Sequence, residues 1–215
     1  MEVKKNSKNG MGKINEDYLI YRDLPKECTL AILADGMGGL SNGYQAARIV
    51  SNTIAGYIEK NIAAFNPDEL LRKAIYQANE AIKVKSYELK CRMGAAIAVV
   101  LAKEGSAYYT WLGNVRIYLN REYEELVQLT TDHVYIPDAE DENSDTYLTR
   151  CIKGKNLRED PPTGKITLTP CSHILLCTDG FYQYSSEYNI LFDGADWVEY
   201  MDEMPDDFSA IELIY

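Results

Sequence analysis

The chain has 215 residues, of which 46% are hydrophobic and 26% are charged, and its formal net charge at pH 7 is −11. This length accommodates one sizeable core, and no low-complexity linker interrupts it, so we predict a single domain over residues 1–215. A strongly acidic chain without a basic stripe does not suit a nucleic-acid backbone as a partner.

The chain also lacks the sequence signals of membrane insertion and secretion. No apolar run approaches the ~20 residues that cross a bilayer, and the amino terminus lacks an apolar signal segment. We therefore predict a cytoplasmic protein with no membrane partner. The five cysteines form no Cys-x-x-Cys pair, which favours buried or free thiols over disulfides or zinc ligands: Cys28, Cys91, Cys151, Cys171 and Cys177.

The hydrophobic pattern predicts strands followed by helices and then more strands. The first helix is expected from Tyr44 to about Phe65, and the second begins at the capping sequence Asn66-Pro67-Asp68-Glu69. This segregation of strands and helices favours an α+β fold over a repeated βαβ sheet. The clearest strand candidates are Thr29–Ala34, Ala95–Ala102, Ala107–Leu112, Val115–Leu119, Ile174–Thr178 and Ala210–Tyr215.

Four aspartate-centred motifs abut strand-like apolar runs along the chain. They are Asn15-Glu16-Asp17, Ala34-Asp35-Gly36-Met37-Gly38-Gly39, Thr178-Asp179-Gly180 and Asp206-Asp207-Phe208-Ser209. Each motif alone also fits an ordinary polar turn. Together they indicate a cluster at the strand ends, where carboxylates about 4 Å apart repel by roughly 4 kcal/mol at a dielectric of about 20. Such a cluster calls for cations, and hard oxygen ligands favour Mg²⁺ or Mn²⁺.

The order of these motifs resembles the metal-dependent protein phosphatase family, the type 2C (PPM) serine/threonine phosphatases, and in particular its compact bacterial members. Ala-Asp-Gly-Met-Gly-Gly is the most specific element. Further family-like segments lie between the acidic motifs, at Met93–Val99, Gly113–Tyr118, Leu129–His133 and Tyr147–Arg150. The resemblance implies a central sandwich of two antiparallel β-sheets flanked by helices, with two Mg²⁺ or Mn²⁺ ions at one end.

The resemblance also implies roles for individual residues. Asp35 would bridge the two ions and the Gly36 carbonyl would bind one of them, while Asp179 and Asp206 would be ligands of the second ion. Glu16 would contact the metal shell directly or through water, and Asp17 would orient the waters. Phosphoserine or phosphothreonine in a protein would be hydrolysed by attack of the bridging water, opposing a cytoplasmic Ser/Thr kinase.

This chain departs from the family pattern at several positions. Gly12 stands where the family often has a phosphate-binding arginine, and Lys13 is the nearest cation, either a substrate-binding group or a solvated surface lysine. Asn114 replaces an aspartate that in the family helps to hold a third ion, so binding of that ion is expected to be weak or absent. The alternative is that Asn114 only completes a turn between two strands. His133 is interpreted as a hydrogen-bonded structural histidine rather than a catalytic one.

Two other functions are consistent with parts of the sequence. The departures at positions 12 and 114 would suit a catalytically weak or inactive family member that binds phosphoproteins or another partner. The glycines Gly38 and Gly43 suggest a nucleotide-binding loop. Tyr44-Gln45 stand where such a loop needs lysine and serine or threonine, which argues against nucleotide binding.

Overall fold

Two antiparallel sheets pack face to face in the computed structural model, which describes residues 1–10, 14–37, 42–122, 124–137, 146–188 and 206–215. One sheet has the strand order β10 (Thr163–Thr167), β5 (Ser106–Leu112), β4 (Ala95–Lys103), β3 (Cys28–Gly36) and β2 (Asp17–Leu24). The other has the order β1 (Glu2–Lys8), β12 (Phe208–Ile214), β11 (Ser172–Cys177), β6 (Arg116–Arg121) and β7 (Val127–Gln128). A separate hairpin pairs β8 (Val134–Tyr135) with β9 (Tyr147–Leu148).

Helices cover the outer faces of the sandwich. Helices α1 (Gly43–Asn61) and α2 (Pro67–Leu89) pack on the sheet that contains β3 and β4, and α3 (Asp179–Tyr188) packs against the opposite sheet. The predicted α+β sandwich is therefore confirmed. No helix in the described ranges is long and apolar enough to span a bilayer.

The central strands are buried on both faces because they lie between two apolar layers. In β4, Ala96, Ala98 and Val100 face the other sheet, whereas the intervening residues Ile97 and Val99 face the helices. This alternation explains why the strand has no polar face in its sequence. The register in which β3 pairs with β2 and β4 sets the position of the residues at the strand ends.

Local sequence explains the helix boundaries. Asn66 caps α2 by accepting the Glu69 backbone N–H at 2.9 Å, and Pro67 is its first residue, as predicted. Helix α1 ends at Asn61, four positions before the predicted end at Phe65. The buried residues Ala47, Val50, Ile54 and Ile58 form the apolar face by which α1 packs on the sheet.

Strands β1 and β10 and helix α3 are not among the elements predicted from the sequence. Among the described strands, β1 lies at the edge of its sheet beside β12, and its exposed lysines are compatible with that position. Helix α3 begins at Asp179, in an Asp-Gly sequence that taken alone also fits a turn, so the local sequence does not mark its start. All five cysteines are free, and Cys28, Cys151 and Cys177 are buried, as the thiol prediction requires.

Candidate active site

The four aspartate motifs meet at one end of the sandwich. Asp17 begins β2 and lies opposite Asp35 in the β2–β3 register. Asp179 is the first residue of α3 and is separated from the end of β11 by Thr178 alone, and Asp206 and Asp207 precede β12. These residues line a pocket of about 790 Å³, together with Ile14, Glu16, Gly36, Met37, Asn114, Thr146, Tyr147 and Leu148.

The pocket is therefore strongly acidic. Six carboxylate side chains border it, and no lysine or arginine does so among the residues that the structure describes. The predicted substrate-binding Lys13 lies outside the described residues, as does Gly12. Within the described ranges, no three His, Cys, Asp or Glu side chains are arranged to hold an ion, so the metal-ligand roles stay a prediction.

Burial and mutual repulsion raise the pKa values of the central carboxyl groups. Burial raises the pKa of Asp17 to about 7, opposed by hydrogen bonds from Ser209 and Thr178. Burial is also the largest cause that raises the pKa of Asp35 well above its usual value, followed by the charges of Asp17 and Asp179. Because the neighbouring carboxylates contribute to these shifts, a cation placed among them would stabilise their ionised forms.

Asp17 is held by a buried polar network beneath the pocket. The Thr178 hydroxyl donates to Asp17 Oδ2 at 3.0 Å, and the Ser209 backbone N–H donates to the same hydroxyl oxygen at 3.2 Å. The Asp17 backbone N–H donates to Asn15 Oδ1 at 2.8 Å. These bonds connect β2, β11 and β12, so Asp17 is fixed as a support of the pocket.

Asp207 joins the other end of the chain to the site. Its Oδ1 accepts the Gly10 backbone N–H at 2.9 Å, and its Oδ2 accepts the Glu16 backbone N–H at 2.7 Å. Hydrogen bonds to an ionised acceptor are the stronger kind. Asp207 therefore positions the backbone on both sides of residues 11–13 and sets where Glu16 enters the pocket.

The backbone of Glu16 and Gly43 lies so close to position 36 that only glycine fits there. The Gly36 N–H donates to the Glu16 carbonyl at 3.1 Å, and a Cβ at this position would meet that carbonyl oxygen at 2.8 Å and the Gly43 backbone even more closely. Any side chain would therefore push α1 away from β3. The absence of a side chain also leaves the Gly36 carbonyl accessible to a ligand.

Asp179 is held by two hydrogen bonds at the start of α3. The Gly180 backbone N–H donates to Oδ1 at 3.0 Å, and Asn114 Nδ2 donates to Oδ2 at 2.9 Å. Burial raises the pKa of Asp179, as does the charge of Asp206, whereas these two hydrogen bonds lower it. Helix α3 is anchored beside this site by Tyr182, whose ring lies 3.6 Å from the Arg116 guanidinium.

His133 has a structural role in the turn next to the pocket. The ring nitrogen Nδ1 of His133 accepts a hydrogen bond from the Gly113 backbone N–H at 3.2 Å. The backbone N–H of His133 donates to the Gly113 carbonyl at 2.9 Å. Its ring stacks on Trp111 with centroids 6.0 Å apart. Burial and the nearby Arg150 lower the pKa of His133, which keeps Nδ1 available as an acceptor. These contacts agree with the interpretation of His133 as a structural residue.

The donor set fits hard divalent cations. Six carboxylates line the pocket, and Asn114 Oδ1 is a buried oxygen without a hydrogen-bond partner in the described part of the chain. Oxygen ligands without thiol or imidazole are typical of Mg²⁺ and Mn²⁺ sites. Asp35, the Gly36 carbonyl, Asp179, Asp206 and Glu16 could therefore hold such ions.

Several supporting residues were not identified from the sequence. The roles of Thr178, Ser209 and Asp207 depend on hydrogen bonds between distant segments. The available signal was their position, since each is adjacent to or within an aspartate motif.

Comparison with known proteins agrees with this geometry. A family model described as protein phosphatase 2C matches residues 6–211. The protein phosphatase PhpP of Streptococcus pneumoniae serotype 2 (strain D39 / NCTC 7466) is 28% identical over 180 residues, which cover 77% of this chain and 72% of that protein. A putative protein phosphatase 2C-type of Streptococcus pyogenes serotype M6 is 25% identical over 194 residues, covering 82% of this chain and 77% of that protein.

Solved structures show the same fold. The Mycobacterium tuberculosis serine/threonine phosphatase PstP/Ppp superimposes with a TM-score of 0.81 at 22% identity, covering 98% of this chain and 97% of that one. The catalytic domain of the serine threonine protein phosphatase PstP, solved in complex with two manganese ions, gives a TM-score of 0.76 at 20% identity and covers 98% and 96% of the two chains.

Proposed function

The chain belongs to the protein phosphatase 2C family, and we propose that it is a Mg²⁺- or Mn²⁺-dependent hydrolase of phosphoserine and phosphothreonine in proteins. The observation that carries this proposal is the convergence of six carboxylates on one pocket without a described lysine or arginine among them. A phosphate group cannot enter such a pocket unless cations first neutralise it. The relative whose structure contains two manganese ions supports the same conclusion.

Two bound cations would supply the positive charge that attracts the phosphate and the activated water that attacks phosphorus. Asp35 would hold the ions together with Asp179 and Asp206, which lie beside the start of α3, and with Glu16, which lies beside the start of α1. Asp17 holds the geometry from below through Thr178. Met37 borders the pocket and has no transferable proton, so solvent would protonate the leaving oxygen.

The substrate class follows from the same site. A pocket open to solvent at the end of the sandwich suits a phosphorylated side chain that projects from a protein segment. The partners proposed are phosphoserine- and phosphothreonine-containing proteins and the cytoplasmic Ser/Thr kinase that modifies them. We propose that residues 1–215 act as one catalytic domain in the cytoplasm.

The test is hydrolysis of a phosphothreonine peptide by the purified chain with Mn²⁺ and with a chelator. Activity should require the metal, and Asp35→Asn should lose most of it at saturating Mn²⁺. Folding of the variant is checked by its thermal unfolding. If Mn²⁺ binds and no phosphopeptide is hydrolysed, the protein is a binding module without turnover. If chelation leaves hydrolysis unchanged, the metal-dependent proposal is wrong.

A further inference from the structure

Asn114 makes a direct contact with one of the proposed metal ligands. Its Nδ2 lies 2.9 Å from Asp179 Oδ2 and donates a hydrogen bond to it. This contact fixes the orientation of the amide group, because only the nitrogen can donate. The other end of the amide, Oδ1, is buried without a hydrogen-bond partner in the described ranges. Asn114 borders the same pocket as Asp179.

The turn that carries Asn114 is rigidly held. Gly113 has φ +108°, and a Cβ there would collide with the Ala96 side chain. His133 bonds both the N–H and the carbonyl of Gly113. The backbone that leads into Asn114 is therefore fixed before any ligand binds, so its amide reaches Asp179 without further ordering.

The side chain at position 114 determines whether the ionised Asp179 carboxylate is stabilised and how it is oriented. An amide N–H stabilises the ionised Asp179 and selects one rotamer of it. A carboxylate of similar size would instead place a second negative charge about 3 Å from Asp179 Oδ2, where like charges are costly without a cation between them. The neutral Asn114 amide thus stabilises ionised Asp179 with a hydrogen bond. A carboxylate at position 114 could do so only with an additional cation between the two groups.

We propose that Asn114 is a positioning residue for Asp179, which it holds in the orientation that binds the metal, and that this hydrogen bond replaces a third cation in the site. This inference rests on the proposed function, because it assumes that Asp179 is a metal ligand. It goes beyond the expectation of a weak third ion, since it assigns Asn114 its own task in the two-ion site.

The first test is calorimetric titration of Mn²⁺ into the wild type, Asn114→Ala and Asn114→Asp. Loss of the hydrogen bond in Asn114→Ala should weaken Mn²⁺ binding about 10-fold while the stoichiometry stays at two, as is typical when a group that supports a ligand is removed. Asn52→Ala is the matched control, because it makes the same change on the exposed surface of α1 and should leave Mn²⁺ affinity unaltered. Equal Mn²⁺ affinity of Asn114→Ala and the wild type would overturn the proposal.

Asn114→Asp separates a hydrogen-bond role from a third-ion role. In chelator its melting temperature should fall below that of Asn114→Ala, since it adds repulsion to the loss of the donor. Saturating Mn²⁺ should produce a larger rise in melting temperature for Asn114→Asp than for the wild type, with a third ion bound. A third ion of equal affinity in wild type and Asn114→Asp would contradict the replacement of that ion by the amide.

A double-mutant cycle in chelator tests the contact without any metal. Asn114→Ala, Asp179→Ala and the double variant are compared by denaturant unfolding, and the effects of the single changes should not add. Additive effects would overturn the positioning role. A wild type that binds no Mn²⁺ would instead contradict the proposed function, and the cycle would still report on the contact.

Discussion

The carboxylate of Asp207 accepts the backbone N–H of Glu16 at 2.7 Å, which joins residues 191 positions apart. The same carboxylate accepts the N–H of Gly10 at 2.9 Å. One side chain at the start of β12 thus closes the amino-terminal part of the pocket. The six carboxylates that line the pocket therefore come from both ends of the chain and from the strands between them.

Asp207→Ala should therefore destabilise the protein. It removes two charge-assisted hydrogen bonds, and we expect a loss of about 1–3 kcal/mol in the free energy of unfolding, reduced by the partial exposure of Asp207. Asp207→Asn keeps one acceptor oxygen and should fall between the alanine variant and the wild type. Urea denaturation at pH 7 measures the effect, and the exposed Glu125→Ala serves as the control. Identical midpoints for Asp207→Ala and the wild type would contradict this role.

Thr178→Val should weaken the support of Asp17. The change keeps the shape of the side chain and removes the hydroxyl that donates to the buried Asp17 Oδ2. Leaving that carboxylate without this donor should cost about 1–3 kcal/mol of unfolding free energy. Thr178→Ser retains the hydroxyl and should cost less, since it loses only a methyl group. Equal losses in the two variants would mean that packing, and not the hydrogen bond, explains the requirement for threonine.

His133 should make stability depend on pH below neutrality. Its pKa is lowered in the folded protein by burial and by Arg150, whereas Asp132 and Glu159 oppose that shift. The unfolded chain therefore binds more protons as the pH falls through the ordinary histidine value near 6.5, and folding stability is lost in that direction. Protonation would also convert Nδ1 from an acceptor into a donor that faces the Gly113 N–H.

The measurement is the unfolding free energy of the wild type and His133→Gln at pH 7.5, 6.5 and 5.5. Other groups titrate in this range in both proteins, so the difference between the two curves reports on residue 133. The wild type should lose more stability on acidification than the variant. Parallel curves would show that His133 does not contribute.

The fold was predictable because its signals are local. Strands such as β3 and β4 are continuous apolar runs, and the start of α2 carries a cap at Asn66 and a proline at position 67. The candidate site was predictable in outline, since Asp35, Asp179 and Asp206 each stand at the end or start of an apolar run. Strand β1 was missed because an edge strand tolerates lysines on its exposed face.

The contacts that connect the site could not be predicted from the sequence. Thr178 reaches Asp17 across 161 positions, and Asn114 reaches Asp179 across 65 positions. Nothing in the local sequence specifies such pairs, because they follow from how two sheets bring their strand ends together. Asn114 was accordingly interpreted as a turn residue or a poor ligand, and its hydrogen bond to a proposed metal ligand became visible only in the fold.

Binding of two ions in the acidic pocket can be observed by anomalous X-ray diffraction from crystals soaked in Mn²⁺. We expect two anomalous peaks in the pocket, one within bonding distance of Asp35 and the Gly36 carbonyl and the other within bonding distance of Asp35, Asp179 and Asp206. Chelation of the same crystals should remove both peaks. If the pocket contains no manganese in crystals of a chain that still hydrolyses phosphothreonine peptides, the proposed two-ion site is wrong.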